Sequence, residues 1–139
     1  MKAIRKNLFV KMLMLTLSIS LTSCLGDSNN SPNECYYTIY VGVTDVTGPT
    51  TATVNQQITL DVTFNVADSC GSFQAYYEEP TNTNEKTITV LAKYLGCDCT
   101  AGVVTKTVPY NFKAQATGTY VLKFKITNTT FKTVTIVVT

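Results

Sequence analysis

The feature that most constrains this chain is a run from Ile58 to Val66 in which every second side chain is apolar. Ile58, Leu60, Val62, Phe64 and Val66 alternate with Thr59, Asp61, Thr63 and Asn65. A period of two puts the first set on one face of a strand and the second on the other, which requires a sheet with one buried and one wet face. The alternation recurs at 120–127, where Tyr120, Leu122, Phe124 and Ile126 are expected inward and Lys123, Lys125 and Thr127 outward. It recurs again where Val134, Ile136 and Val138 alternate with Thr133, Thr135 and Thr139. Weaker runs lie at 36–44, 73–77, 87–95 and 103–114. Turn signals separate them: Thr47-Gly48-Pro49, Cys70-Gly71-Ser72, Pro80-Thr81-Asn82, Gly96, Gly102, Thr117-Gly118 and Asn128-Thr129. From Cys35 onward no long run has helical period, and the many threonines suit pleated, half-exposed surfaces.

Seven short strands at this spacing predict an all-β fold for residues 35–139, an immunoglobulin-like antiparallel β-sandwich. The segment Gly118–Phe124 is similar to the sixth strand of immunoglobulin domains, in which a tyrosine near the strand start hydrogen-bonds back to the preceding corner. Two features depart from that pattern: the chain has no tryptophan, and Leu122 stands where antibody domains place their second core cysteine. Pro109 falls inside the fifth expected strand, which should therefore be short, bulged or at an edge.

Residues 1–23 are laid out as a secretory signal. Lys2, Arg5, Lys6 and Lys11 stand without an acid, the apolar stretch Met12–Leu21 follows, and small residues precede a cysteine. That stretch is too short for a membrane helix, which needs about 20 residues. Leu21-Thr22-Ser23-Cys24 resembles the lipobox read by lipoprotein signal peptidase. The resemblance implies cleavage before Cys24, a diacylglyceryl group on its sulfur and an acyl chain, such as palmitate, on the new amino group. Two or three chains anchor firmly where one does not. Residues 24–34 read as a flexible lipidated tether. Its polar stretch, 25–34, reaches about 33–36 Å at most, which would hold the domain near the bilayer.

Cleavage changes the charge. Four basic residues leave with the leader, so seven lysines face nine acids in 24–139, a net of −2 where the whole chain carries +2. A clustered basic surface is missing, and nucleic-acid binding is not expected. With Val46-Thr47-Gly48-Pro49, Asp68-Ser69-Cys70-Gly71 and Lys93-Tyr94-Leu95-Gly96-Cys97-Asp98-Cys99, the chain from Cys24 onward is similar to small single-domain lipoproteins of Bacteroidetes-type bacteria. The resemblance implies compartment and fold but no activity. Leu25 after Cys24 lacks the acid of the inner-membrane retention signal of enteric lipoproteins, so the outer membrane is expected, with the side undecided.

If successive strands run alternately up and down, Cys35, Cys70, Cys97 and Cys99 all fall at one pole. Export favours their oxidation. Pairing Cys35 with Cys70 leaves Cys97 to bond Cys99 in a tight ring. Pairing Cys35 and Cys70 separately with Cys97 and Cys99 avoids that strain and is preferred. Four convergent thiolates could instead bind zinc, but the paired Cys-x-x-Cys knuckles of zinc ribbons are missing, and no metal or cofactor is expected. The same counting puts the tether at the cysteine pole and the loops 45–57, 78–86 and 114–119 at the far one.

The chain contains no histidine, which excludes Ser-His-Asp and Cys-His catalysis and His-ligated metals. The segment with Tyr76, Tyr77, Glu78, Glu79 and Glu85 is the candidate ligand-contact loop, as an aromatic platform for sugar or peptide beside a carboxylate group. Its bland reading is one tyrosine parity in the core and a solvated acidic loop. Tyr36 and Tyr40, on the parity opposite to Ile39, Val41 and Val43, form an exposed apolar patch or pack under a loop. Lys123 and Lys125 read as solvated, edge-protecting charges. Together these features predict a non-catalytic, membrane-anchored binding or accessory module of the cell envelope that acts through membrane-distal loops, with an envelope protein or glycan as partner. The alternatives are an assembly subunit that pairs edge strands and a glycan-acting enzyme.

Overall fold

The computed structural model describes residues 35–139; the leader 1–23, Cys24 and the tether 24–34 lie outside the described residues. Nine strands follow one another: β1 (Tyr36–Val41), β2 (Val43–Thr47), β3 (Thr51–Ala52), β4 (Gln57–Asp68), β5 (Gly71–Asn82), β6 (Glu85–Leu95), β7 (Ala101–Lys113), β8 (Gly118–Lys125) and β9 (Phe131–Val138). They form a β-sandwich of one six-stranded and one three-stranded sheet. All seven expected strands are present. The higher count arises because Gly42 splits the first into β1 and β2, and because two residues of the following loop pair as β3.

The small sheet has the order β2-β4-β7, antiparallel throughout. In the large sheet β5 pairs antiparallel along one side of β6, and two strands share its other side. β8 runs parallel to residues 85–88, and β1 runs antiparallel to residues 90–95. β9 lies outside β8, and β3 adds parallel to β9. The expectation of antiparallel pairing thus holds except at β6–β8 and β3–β9. The β6–β8 exception follows from chain path: after β6 the chain crosses to the other sheet as β7 and returns in the direction β6 took, as a parallel neighbour must.

Alternation decides the core. Ile58, Leu60, Val62, Phe64 and Val66 of β4 are all buried, facing Ile88, Val90, Ala92 and Tyr94 of β6, Leu122 and Phe124 of β8, and Ile136 and Val138 of β9. Inside the sandwich Phe73, Tyr76, Tyr110 and Phe124 follow one another with ring centroids 4.7, 5.1 and 5.3 Å apart. The latter two contacts are edge-to-face, the geometry aromatic quadrupoles favour. Ile126 departs from its expected place and is 40% exposed, because the chain leaves the sheet just beyond Lys125. Lys123 protects no edge, since β6 and β9 flank it on both sides; it instead pairs with Glu85 at 2.6 Å.

Pro109 sits opposite Asp61 in an unbroken stretch of register, and β7 is long rather than short. It is an edge strand, where a missing N–H disturbs no further ladder. Tyr120 Oη donates to the Ala116 carbonyl at 3.0 Å, forming the tyrosine corner expected at the start of this strand.

Cys35, Cys70, Cys97 and Cys99 lie at one pole, joined as Cys35–Cys97 and Cys70–Cys99. Hydrogen bonds from Gly96 N to Cys35 O and from Ser69 N to Thr100 O bind the same segments. The other pole holds the turn at 53–56, residues 83–84, residues 114–117 and Thr139. It is closed by Asn55 N to Ala114 O at 2.8 Å and Val54 N to Thr139 O at 3.1 Å. The bridges link residues 62 and 29 apart in sequence. Their loop-closure entropies correspond to about 4 kcal/mol each, slightly more for the longer loop.

Gly42 is where the first strand changes sheets. A Cβ there would overlap the Ile126 carbonyl oxygen, which is backbone and cannot swing aside. Gly42→Ala is therefore expected to cost about 1–3 kcal/mol, read as a lower urea midpoint at unchanged slope. Replacing Cys35 and Cys97 together by alanine should lower stability more than replacing Cys70 and Cys99. Equal effects, measured in the same unfolding series, would mean that loop entropy does not govern these bridges.

Candidate binding face

The segment from Tyr76 to Glu85 does not form one site, because the sheet divides it by parity. A β-bulge between Phe73 and Ala75 puts Phe73 and Tyr76 on the same, inner face, although they are three residues apart. Tyr76 packs against Phe73 and Tyr110 and donates its hydroxyl to the Val108 carbonyl at 3.1 Å. Burial pushes both the Tyr76 and Tyr110 phenols above their usual range, helped by the charges of Asp61 and Glu78 respectively. Glu78 faces the same side. It accepts hydrogen bonds from Tyr110 Oη at 3.0 Å and Lys86 Nζ at 2.7 Å, while Lys86 lies 5.5 Å from the Tyr110 ring centre. Tyr76 and Glu78 thus close the side of the sandwich.

Tyr77 and Glu79 point the other way, onto the outer face of the large sheet. Glu85 is held apart by Lys123 and by the Thr81 hydroxyl at 3.0 Å. The Lys123 hydrogen bond, then that from Thr81, draws the Glu85 carboxyl below its ordinary range.

On the outer face Tyr77 meets residues the sequence placed elsewhere. Tyr77 lies opposite Thr89 on one side of β6, and Tyr40 lies opposite Leu91 on the other. The two rings are tilted 52° to each other with centroids 6.2 Å apart. Both stay half exposed, at 50% and 58%. Thr89 is 6% exposed and forms the floor between them. Tyr36 shares this face and donates to Gln74 Oε1 at 3.4 Å. Of the two readings of Tyr36 and Tyr40, the exposed patch is what the structure contains.

The floor at Thr89 results from the topology. Ile88 is the last β6 residue paired with β8, and Val90 is the first paired with β1; Thr89 falls between. β1 and β8 run toward each other from opposite poles and part there, leaving a crevice. One half, about 350 Å3, is lined by Tyr40, Tyr77, Glu79, Thr89 and Lys125. The other, about 310 Å3, continues past Tyr40 and Lys125 to Thr127 and Asn128. Neither Lys125 nor Glu79 takes part in an ion pair among the described residues.

Thr89 and Lys125 carried no signal in the sequence. Their meeting depends on a parallel pairing between strands separated by a crossover, which local periodicity does not report.

A second, smaller depression of about 220 Å3 lies at the pole opposite the cysteines, among Asn82, Asn84, Glu85, Lys86, Phe112 and Tyr120. At the cysteine pole Asp68, Cys70 and Cys99 converge within 4.8 Å. Cys70 and Cys99 are bonded to each other, leaving no thiolate to donate, and the Asp68 carboxylate accepts the Cys70 N–H at 2.9 Å.

No family model matches the chain, and no curated protein or solved structure matches it either.

The division by parity predicts opposite fates for neighbouring tyrosines. Tyr76→Ala should cost about 3 kcal/mol or more, because it empties a space in the core and leaves the Val108 carbonyl without its donor. Tyr77→Ala should change stability by about 0.5 kcal/mol or less. Thermal unfolding of the two variants checks this, and similar losses in both would mean that Tyr77 is also structural.

Proposed function

We propose that this chain is a lipid-anchored, non-catalytic binding module of the bacterial cell envelope, with the crevice at Thr89 on its six-stranded sheet as the binding surface. The observation that carries the binding role is the crevice at Thr89. Two half-exposed tyrosines converge there on the sheet with Lys125 and Glu79, neither of which is in an ion pair among the described residues. Solvent-exposed aromatic side chains supply large contact area at small entropic cost, which is why they dominate recognition surfaces. Of the loops first expected to carry the contacts, 78–86 borders a smaller depression of about 220 Å3, and 45–57 borders one of about 510 Å3 whose lining contains no aromatic side chain.

The anchor rests on the basic, apolar and small-residue succession of 1–23 ending at Cys24. Absence of catalysis is supported by the lack of histidine and by the engagement of Glu78 and Glu85 with lysines. Location in the outer membrane and membership of the Bacteroidetes-type lipoproteins belong to the same reading.

A second role, assembly by strand addition, is favoured by β1. Its edge away from β6 pairs with no described strand, and its large side chains Tyr36, Tyr37, Ile39 and Tyr40 are about half exposed. Other edges carry devices that discourage pairing: Lys106, Pro109 and Lys113 in β7, Pro80 and two bulges in β5, a bulge in β2, and Lys132 in β9, which β3 covers only at Val137 and Val138. β1 has none of these.

Expressed in a Gram-negative host, the full chain should fractionate with membranes and incorporate labelled palmitate, and Cys24→Ser should abolish both. Labelling that persists in Cys24→Ser would overturn the anchor. A photo-crosslinker in place of Tyr77 should trap the ligand. Trapping only from Thr38, on the β1 edge, would favour assembly instead.

A further inference from the structure

We infer that the crevice at Thr89 binds an uncharged oligosaccharide, with sugar rings seated against Tyr40 and Tyr77. This rests on the binding-module reading and names the ligand class. The shape of the site argues for a short, extended chain. Two depressions of similar size lie end to end across the sheet and share Tyr40, Thr89 and Lys125, so the cleft accepts a ligand of several linked rings rather than a single small molecule. It is open to solvent along its length, and nothing in it encloses a ligand.

The chemistry of the lining narrows the class. The tyrosine rings are tilted by 52° and 6.2 Å apart, too close for a flat ligand to slide between them. They form a V whose walls suit the C–H faces of pyranose rings that turn from one residue to the next. Lys125 offers only donors and Glu79 only acceptors, and neither has a counter-ion among the described residues. Their charges cancel, so the site has no net attraction for an anion or a cation. A ligand matched to it must supply acceptors and donors together, as hydroxyl groups do. Thr127 and Asn128 add neutral polar groups at the far end.

Rigidity supports the same class. The tyrosines stand on strands flanking one central strand, and the floor is nearly buried. Weak sugar contacts accumulate into useful affinity only when the platform loses little freedom on binding.

The test is direct titration of the purified full chain in detergent. The probes are hexasaccharides of β-1,4-glucose, β-1,4-mannose and α-1,4-glucose, with a galacturonic acid hexamer as the anionic comparison, followed by tyrosine fluorescence and calorimetry. At least one neutral hexamer should bind. Tyr40→Ala and Tyr77→Ala should each weaken it about tenfold, the loss of one stacked ring. Tyr40→Phe, which keeps the ring, should retain binding within about threefold, and Tyr36→Ala, outside the cleft, should leave it unchanged. Unaltered melting temperatures for Tyr77→Ala and Tyr36→Ala separate loss of binding from loss of fold.

The inference is overturned if no neutral hexamer binds at millimolar concentration, if only the galacturonic acid hexamer binds, or if binding survives both alanine substitutions. Should the hexamers fail while the crosslinker at Tyr77 still traps an envelope component, the binding module stands and its ligand is of another class. Should both fail, the binding face itself is wrong.

Discussion

The structure depends on the passage of the first strand from one sheet to the other at Gly42, under the backbone of Ile126. Before that point the strand is part of the large sheet, hydrogen-bonded to β6; after it, the strand edges the small sheet, hydrogen-bonded to β4. One continuous segment therefore ties both layers together. The crossing also fixes where β8 must leave β6, because Val41 occupies the place beside Val90 that β8 would otherwise take. The sandwich closure and the outer-face crevice have the same cause. A side chain larger than hydrogen at residue 42 would disturb both.

The legible part of the fold was the part written in local alternation. Ile58 to Val66 has a period of two over its whole length, and each expected inward residue is buried. Cysteine placement was legible for the same reason, since strand direction follows from counting strands and needs no knowledge of which strands touch. Tyr120 was legible because its corner is a contact between residues four apart.

Three things were not legible, and each is non-local or interrupts the period. The bulge at Phe73 and Ala75 moves Tyr76 inward and Tyr77 outward, so no simple alternation from 73 assigns them correctly. Ile88, Thr89 and Val90 are buried in succession because Thr89 is covered by residues from other strands, and a consecutive buried run has no amphipathic signature. Lys123 looked like an edge charge because nothing in its neighbourhood announces that β8 lies inside a sheet there.

The two bridges also determine how the domain responds to mechanical load. A pull on the chain ahead of Cys35 would otherwise peel β1 from β6 one residue pair at a time, the weakest direction for an antiparallel ladder. Cys97 stands two residues beyond the end of β6, so the Cys35–Cys97 bond carries that force covalently past β1 into the strand that holds Thr89. From Cys99, two residues further along, the second bridge passes a share to Cys70 at the start of β5, the strand that carries Tyr77. Tension entering at this pole thus reaches β5 and β6 without unzipping β1, and the outer face between Tyr40 and Tyr77 would keep its shape under load.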